Sequence, residues 1–391
     1  MIRISQKASA IKPSLTRKLF NMSKSYENVI DFTLGDPDVQ PHDAIKKAAC
    51  QAIMLGKTRY SQNAGLLQLR ERISEFSIHK NGLIYDPQTE IIATVGAMEA
   101  LYLALFAIVD VDDEVIIPAP YYVNYEQMVT LCGGKPVIVE DISSTLHLMC
   151  SVESICKSIT RKTKAIILNT PCNPTGRIYN TDFIDEIAKL ALKHDLVVIT
   201  DEVYSCLMYD SKRRVKSIAT LPEMQKRTIY INSLSKEFCM TGWRIGYACG
   251  PENVISAMIK LQENVAACAP LPSQYAAIEA LRTDIDYSSA MVSIFKERRD
   301  VLIEELSKIP FVKYMVPEAT FYAMVNIANT GLKSEQFAYN LLEVEQVAVV
   351  PGITYGACCD NYIRIAFTLD VVFIREGIRR LRRFIEHSVR K

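Results

Sequence analysis

The sequence predicts an α/β protein: a large domain built on a mainly parallel sheet between helices, followed by a smaller α+β domain. Two observations predict the large domain: short runs that are apolar throughout recur between residues 91 and 231, and helical patterns separate them. Strands without polar alternation are typical of parallel sheets that helices cover on both faces. A third observation, a change of pattern near residue 283, predicts the second domain.

The elements of the large domain follow from hydrophobic runs that end at turn residues. Strands are predicted over Ile91–Val95, Glu114–Pro118, Lys164–Leu168, Leu196–Thr200 and Thr228–Ile231. Helices are predicted over Gly96–Ile108, Tyr122–Leu131 and Thr181–His194. Because helices lie between the strands along the chain, most neighbouring strands are expected to run parallel.

Past residue 283 a long charged helix comes before mixed strands and helices. The predicted elements are a helix over Asp286–Lys308, strands over Phe311–Met315 and Thr320–Ile327, a helix over Ser334–Leu342, strands over Gln346–Val350 and Tyr362–Ala366, and a basic helix from Val371. We therefore divide the chain into residues 1–45, an N-terminal arm and part of the small domain, residues 46–283, the large domain, and residues 284–391, the C-terminal small domain.

The charge balance and hydropathy exclude several classes of protein. The 391 residues carry 45 Lys and Arg against 44 Asp and Glu, so the chain lacks the basic excess of a general nucleic-acid binder. We interpret the RRLRRF run that begins at Arg379 as a solvated helix face for the same reason. No apolar run approaches the ~20 residues that span a bilayer, and the first residues lack the apolar stretch of a secretory signal.

Cysteine and histidine usage favours a cytoplasmic protein without a metal site. The eleven cysteines, an odd number, are scattered and form no CxxC pair, which predicts buried, reduced thiols. The five histidines are isolated from one another and from cysteine pairs. No cluster of metal ligands is therefore expected.

Polar residues follow several predicted strands, at the sheet edge where open parallel sheets bind ligands. Gly96, Ala97 and Met98 open a helix and could offer free N–H groups to an anion. Asp201 ends an apolar strand, where a carboxylate is costly without a partner, although a structural ion pair is its commonest role. Lys236 lies among small residues at another strand end, where partial desolvation would make it a candidate amine nucleophile, although a surface charge is the usual role of one such lysine.

A set of motifs in a fixed order carries a family resemblance. It comprises LGDPD, the Tyr60–Ser61 segment before AGLLQLRERI, PCNPTG, DEVY, SLSKEFCMTGWRIGY, VAVVPG and YIRIAF. Each motif alone is weak, since Asn173 in PCNPTG by itself indicates only a turn. Together they make the chain resemble the class I and II aminotransferases of the pyridoxal-phosphate (PLP) fold type I superfamily, near the prokaryotic aspartate and aromatic branch. The resemblance covers almost the full length and implies a large PLP-binding domain with a mixed seven-stranded sheet.

The resemblance implies a role for each residue around the cofactor ring. Lys236 would hold the PLP aldehyde as an internal aldimine and then move a proton between the substrate Cα and the cofactor. Asp201 would keep the pyridine nitrogen protonated. Asn173 and Tyr204 would hydrogen-bond the phenolic oxygen, and Tyr122 would stack on the ring, where relatives often have tryptophan.

The resemblance also implies how phosphate and substrate are held. The phosphate would be bound by the helix opening at Gly96, Ala97 and Met98, by Ser233, Ser235 and Arg244, and by Tyr60 of the neighbouring subunit in a homodimer. Arg364 would bind the substrate α-carboxylate in a bidentate fork, helped by Asn173. Gly35 would let the backbone approach the substrate.

Two departures from the family pattern bear on the substrate. Several relatives of this branch read a second carboxylate with a lysine where this chain has Met98, which cannot pair with a carboxylate. Together with the segment ACAPLPSQYAAIEAL, this favours neutral or aromatic amino acids as donors, with aspartate still possible and 2-oxoglutarate as acceptor. In PEATFYAMV, Ala319 and Thr320 replace a common glycine and alanine, which predicts an altered side-chain selectivity.

The expected protein is a cytoplasmic, homodimeric aminotransferase with shared active sites that works by ping-pong half-reactions on an amino acid and a 2-oxo acid. Two alternatives remain open at this point. A carbon–sulfur β-lyase would share the fold and the same Lys, Asp, Tyr, Asn and Arg set. A non-catalytic regulator with an aminotransferase-like domain is the less favoured alternative, because the chain holds no added DNA-binding domain and keeps the lysine, aspartate and arginine set.

Overall fold

A computed structural model describes residues 2–140, 148–210 and 212–389. Its strands are β1 Ile30–Asp31, β2 Ile91–Thr94, β3 Glu114–Pro118, β4 Lys135–Val139, β5 Thr163–Asn169, β6 Val197–Asp201, β7 Thr228–Ser233, β8 Gly246–Cys249, β9 Lys313–Tyr314, β10 Tyr322–Asn326, β11 Val347–Ala348, β12 Val350–Pro351 and β13 Tyr362–Ala366. Its α-helices are α1 Gln6–Ala10, α2 Leu15–Ser23, α3 Asp43–Met54, α4 Leu67–Asn81, α5 Ala97–Ile108, α6 Asn124–Leu131, α7 Val152–Lys157, α8 Thr181–His194, α9 Leu234–Glu237, α10 Glu252–Val265, α11 Leu271–Ala280, α12 Ser289–Ser307, α13 Ser334–Glu345 and α14 Val371–Val389.

The main sheet has seven strands in the order β2-β8-β7-β6-β5-β3-β4. The four pairs from β7 to β4 are parallel, and β8 is antiparallel to both of its neighbours. The predicted α/β class, with a mixed and mainly parallel sheet, is confirmed. Parallel strands β5, β6 and β7 end at one edge, so Asn169, Asp201 and Ser233 meet there.

Helices cover both faces of this sheet, which explains why its strands are apolar throughout. Ile199 packs with α5, α6 and α10 in one buried cluster. Its neighbour Val198 points the other way, into a cluster with Phe183 and Ile187 of α8. α8 follows the predicted bounds because the Asn180 side chain caps the N–H of Phe183 and Asp195 ends the helix in a left-handed conformation.

A second, four-stranded antiparallel sheet has the order β12-β13-β10-β9. Helices α12, α13 and α14 pack against it around a separate core that includes Phe295, Phe337 and Ile378. The N-terminal segment joins this core, because Leu19 and Phe32 are fully buried in it and β1 pairs in parallel with β11. The predicted domain boundaries at 45 and 283 stay predictions.

Three predicted elements differ in their bounds for local reasons. α12 begins at Ser289 rather than Asp286, because the Asp286 carboxylate accepts the N–H groups of Ser288 and Ser289 in a turn. β10 begins at Tyr322, since Thr320 has a φ of 62° and cannot continue a strand. The predicted strand Gln346–Val350 divides into β11 and β12, which belong to different sheets.

The basic end of the chain is a helix face rather than a bare positive patch. Arg379 and Arg380 of α14 both pair with Glu376, and Arg383 pairs with Glu345 of α13. These ion pairs support the interpretation of RRLRRF as a solvated helix face. Within the described residues no helix is long and apolar enough to cross a membrane.

Candidate active site

A cavity of about 720 Å³ opens at the carboxyl ends of β5, β6 and β7. It brings together most of the side chains that the sequence singled out. The predicted site residues that line it are Gly35, Ala97, Met98, Tyr122, Asn173, Asp201, Tyr204, Ser233, Ser235, Lys236, Arg244 and Arg364. The cavity lies in the range typical of small-molecule sites, and its lining mixes cations, hydroxyls and aromatic rings.

Lys236 lies on the one-turn helix α9, which begins as β7 ends. Its Nζ donates a hydrogen bond of 2.6 Å to the carbonyl of Gly35 and lies 5.4 Å from the centre of the Phe321 ring. Burial is the main cause that lowers the pKa of Lys236 to about 8; the charge of Asp36 opposes this shift, and the charges of Arg364 and Arg244 contribute to it. A partly neutral amine at physiological pH is a competent nucleophile for a carbonyl carbon.

Asp201 is the last residue of β6 and is buried at the floor of the cavity. Its carboxylate accepts a hydrogen bond of 2.6 Å from the Tyr125 phenol and one of 3.3 Å from the N–H of Val203. Burial raises the pKa of Asp201 to about 6, while these two donors oppose the shift. Since neither donor is charged, the carboxylate can pair with a cationic ring nitrogen in the cavity.

Small residues and donors form an anion cradle beside Lys236. Gly96 caps α5 with a φ of 78°, and a Cβ on it would lie 2.4 Å from Nη2 of Arg244. The hydroxyls of Ser233 and Ser235 lie 2.8 Å apart. A Cβ on Gly246 would lie 2.7 Å from the backbone nitrogen of Ala97. Both glycines therefore allow these segments of the chain to approach one another closely. Helix N–H groups, two hydroxyls and a guanidinium suit a phosphate dianion.

Arg364 lies on β13 and reaches the cavity from the second sheet. Its guanidinium carbon lies 4.2 Å from the centre of the Tyr322 ring and 5.2 Å from that of Tyr355. One terminal nitrogen donates a hydrogen bond of 3.1 Å to the side-chain oxygen of Asn173, and the other donates one to the carbonyl of Thr33. The Nε atom is buried and has no hydrogen-bond partner among the described residues. A guanidinium fixed by two rings and left with an unused donor suits a carboxylate.

Two aromatic groups shape the remaining walls. The phenolic oxygen of Tyr204 lies 3.1 Å from that of Tyr322, and a Cβ on Gly35 would lie 1.7 Å from this second oxygen. On the other side, the hydroxyl of Tyr122 lies 3.6 Å from the sulfur of Met98. Asn124 donates to the same hydroxyl at 3.0 Å. Tyr122 thus offers a ring over the cavity, and the Met98 position offers no charge.

Two predicted site residues, Gly96 and Tyr60, are not among the residues that line the cavity. The side chain of Tyr60 is 86% exposed and borders a separate surface cavity with Arg59 and Cys268. Within one chain, therefore, Tyr60 does not complete the anion cradle. Its predicted contact with the phosphate of a neighbouring subunit stays a prediction.

Several residues that the structure places in the cavity were not identified from the sequence. Among them are Arg17, Asn169, Tyr125, Tyr322 and Tyr355. Two of them have a signal in the sequence. Tyr322 belongs to the Phe-Tyr pair beside the altered PEAT segment, and Tyr125 lies three residues after Tyr122. Tyr355 and Arg17 carry no local signal, because only the tertiary fold brings the turn after β12 and helix α2 to this edge.

The residues present fit PLP. The anion cradle matches its phosphate, Asp201 its ring nitrogen, and the desolvated amine of Lys236 its aldehyde. A metal site has no comparable support, since no group of three or more His, Cys, Asp or Glu residues among those described could hold an ion. The arrangement can therefore bind a phosphorylated carbonyl cofactor together with a carboxylate substrate.

Comparison with known proteins agrees with this chemistry. The family model described as aminotransferase class I and II matches residues 27–381. The putative aminotransferase YugH of Bacillus subtilis is 39% identical over 98% of this chain and 99% of that protein. Aspartate aminotransferase of Pyrococcus abyssi is 37% identical over 98% and 99%. The crystal structure of an aromatic aminotransferase from Pyrococcus horikoshii OT3 superposes with a TM-score of 0.88 at 37% identity, covering 94% of this chain and 99% of that one.

Proposed function

The chain belongs to the class I and II aminotransferase family, and from this premise we propose that it moves the amino group of a neutral or aromatic L-amino acid to 2-oxoglutarate. As a member it is an aminotransferase, and the family depends on PLP. One observation carries the proposal: a desolvated lysine, a buried carboxylate and an arginine with an unused donor line one cavity, as Lys236, Asp201 and Arg364.

We propose that Ser233, Ser235 and Arg244 hold the cofactor phosphate, together with the N–H groups that open α5. Tyr122 would cover the ring and Asp201 would face its nitrogen, while Asn173 and Tyr204 would bond its phenolic oxygen. When bound, PLP supplies an electron sink for the negative charge that develops at the substrate Cα.

The remaining steps belong to the residues of the chain. Arg364 binds the α-carboxylate through its unused Nε and a terminal nitrogen, which orients the Cα–H bond toward Lys236. Lys236, released as a free amine, takes the proton from Cα, for which its pKa of about 8 is suited. The carbonyl of Gly35 accepts a hydrogen bond of 2.6 Å from the Lys236 Nζ, and Gly35 has no side chain that would fill the space beside the amine.

The donor preference rests on the Met98 position. The sulfur of Met98 is contacted by Tyr122 and Asn124, so an apolar or aromatic side chain meets a neutral wall there. Relatives of the chain are named for both aspartate and aromatic amino acids. The neutral wall favours the second group.

A single-turnover experiment tests the function. Purified enzyme loaded with PLP is mixed with one amino acid at a time, and the absorption spectrum and products are recorded. We expect one equivalent of 2-oxo acid per site, with aromatic and neutral amino acids reacting fastest. Release of pyruvate and ammonia from a sulfur amino acid over many turnovers would instead assign a β-lyase, and a protein without any cofactor absorption would contradict the proposal.

A homodimer is proposed from the exposed Tyr60. With 86% of its surface accessible beside the cavity lined by Arg59 and Pro270, this phenol has no role within one chain of the described structure. Light scattering should give twice the 44.0 kDa chain mass. Tyr60→Phe should then lose PLP faster on dialysis than the wild type, whereas equal loss would contradict a phosphate contact.

A further inference from the structure

The cavity contains one cation that the proposed function leaves unused. The described residues that line it include four cationic side chains, those of Arg17, Lys236, Arg244 and Arg364. Lys236 is the reacting amine and Arg364 the α-carboxylate ligand. Arg244 is held beside Gly96, where it donates to the carbonyls of Thr241 and Val95. Arg17 alone has no assigned anion.

Arg17 is available for a ligand. Its side chain is exposed and pairs with no carboxylate among the described residues; the guanidinium carbon lies 5.4 Å from the centre of the Phe20 ring. A guanidinium that borders a cavity without an anionic partner retains its full donor set.

The N-terminal segment places Arg17 next to the α-carboxylate site. Helix α2 packs against β12, and Val350 of β12 is the register partner of Arg364. Tyr355 lies shortly after β12, the strand against which α2 packs, and Thr16 and Tyr355 line the same cavity. Since the Tyr355 ring packs on Arg364, Thr16 and Arg17 stand on the substrate side of the cavity.

The segment is anchored both before α2 and within it. Before the helix, the backbone N–H of Lys12 donates a hydrogen bond of 3.1 Å to the side-chain oxygen of Gln127. The Ser14 hydroxyl accepts a hydrogen bond from the backbone N–H of Arg17 and so caps the helix. Within the helix, Leu19 is fully buried in the core of the second sheet. Arg17 is therefore carried on an anchored helix rather than on a loose tail.

We propose that Arg17 is a specificity-determining residue that binds the distal carboxylate of a dicarboxylic substrate such as 2-oxoglutarate or glutamate. The inference rests on the proposed function, which needs a cation for the second carboxylate of its acceptor. Met98, at the place where a lysine would stand in several relatives, offers none. Arg17 supplies that charge from a different element of the fold.

The test compares two acids of equal chain length, glutarate and pentanoate, which differ in one terminal carboxylate. Their binding to the PLP-loaded enzyme is measured by calorimetry for the wild type, Arg17→Met, Arg17→Lys and the control Lys18→Met. Lys18 is the adjacent exposed cation, but its Nζ lies 5.1 Å from the centre of the Tyr339 ring and it does not line the cavity. We expect Arg17→Met to weaken glutarate about tenfold to a hundredfold, with pentanoate and Lys18→Met within about twofold of the wild type.

Arg17→Lys should restore part of the loss, because it returns the charge without the planar fork. Equal losses for both acids, or an equal loss in Lys18→Met, would overturn the assignment and indicate a structural or general electrostatic effect. The measurement needs no turnover. A failed transamination assay in the wild type would thus refute the proposed function separately from the role of Arg17.

Discussion

The phenolic oxygens of Tyr204 and Tyr322 lie 3.1 Å apart, although Tyr204 is in the turn after β6 of the main sheet and Tyr322 is on β10 of the second sheet. Both side chains are buried, and the ring of Tyr322 also packs against Arg364 at 4.2 Å. One tyrosine thus touches both the proposed ligand of the cofactor oxygen and the proposed ligand of the substrate carboxylate. Tyr322 can couple the two halves of the site.

Tyr322→Phe separates these two contacts, because it removes the hydroxyl and keeps the ring. Without the hydroxyl bond, Tyr204 should donate less strongly to the cofactor oxygen, so the pKa of the cofactor-bound Lys236 nitrogen should rise. A pH titration of the visible absorption of the loaded enzyme measures this shift. Affinity for a simple carboxylate should stay within about threefold of the wild type, because the ring still holds Arg364. An unchanged titration curve would remove Tyr322 from the tuning of the site.

Much of this site follows from the sequence, because strand ends are local features. Asp201 could be found from an apolar run followed at once by a polar residue, and Lys236 from its place among small residues shortly after another such run. The bounds of α8 could be predicted because Asn180 and Asp195 are local caps. Arg17 and Tyr355 could not, since each enters the cavity only through packing against the second sheet.

The conformation of Thr320 is the clearest failure of local reasoning. A β-branched residue is a strong strand former, and the sequence predicts a strand from Thr320. In the structure its φ is 62°, its N–H donates to Leu207 at 2.9 Å, and its carbonyl accepts the hydroxyl of Tyr209. Tertiary hydrogen bonds therefore override the propensity and turn the chain just before Tyr322, whose side chain lines the cavity.

The pKa of Lys236 predicts how the cofactor attaches. Only the neutral amine attacks an aldehyde, and burial lowers the pKa of Lys236 to about 8 from the ordinary value for lysine. The rate of PLP attachment to the cofactor-free protein should therefore rise about tenfold per pH unit below pH 8 and level off above it. Rapid-mixing absorbance measures this rate, with Lys236→Arg as a control that should form no visible band. A rate that keeps rising beyond pH 9.5 would show an unperturbed amine.

Asp201→Ala tests the buried carboxylate. The variant should retain PLP through the covalent bond and the anion cradle, but transamination should fall by about a hundredfold or more, because the ring nitrogen loses its partner. Tyr125→Phe is the matched comparison, since it removes only the 2.6 Å hydrogen bond to Asp201 and should cost less. Bound PLP is counted by absorbance after alkaline release. Wild-type turnover in Asp201→Ala would refute the role given to this residue.

Arg364→Leu tests the α-carboxylate ligand. Loss of the guanidinium should lower kcat/KM by about a hundredfold or more for every amino acid, whatever its side chain, because all of them carry the α-carboxylate. Arg364→Lys should recover little, since a point charge cannot reproduce the fork between Tyr322 and Tyr355. This pattern differs from that of Arg17→Met, which should affect dicarboxylic substrates alone. Steady-state assays with glutamate and phenylalanine on both variants distinguish the two arginines, and a side-chain-dependent loss in Arg364→Leu would exchange their roles.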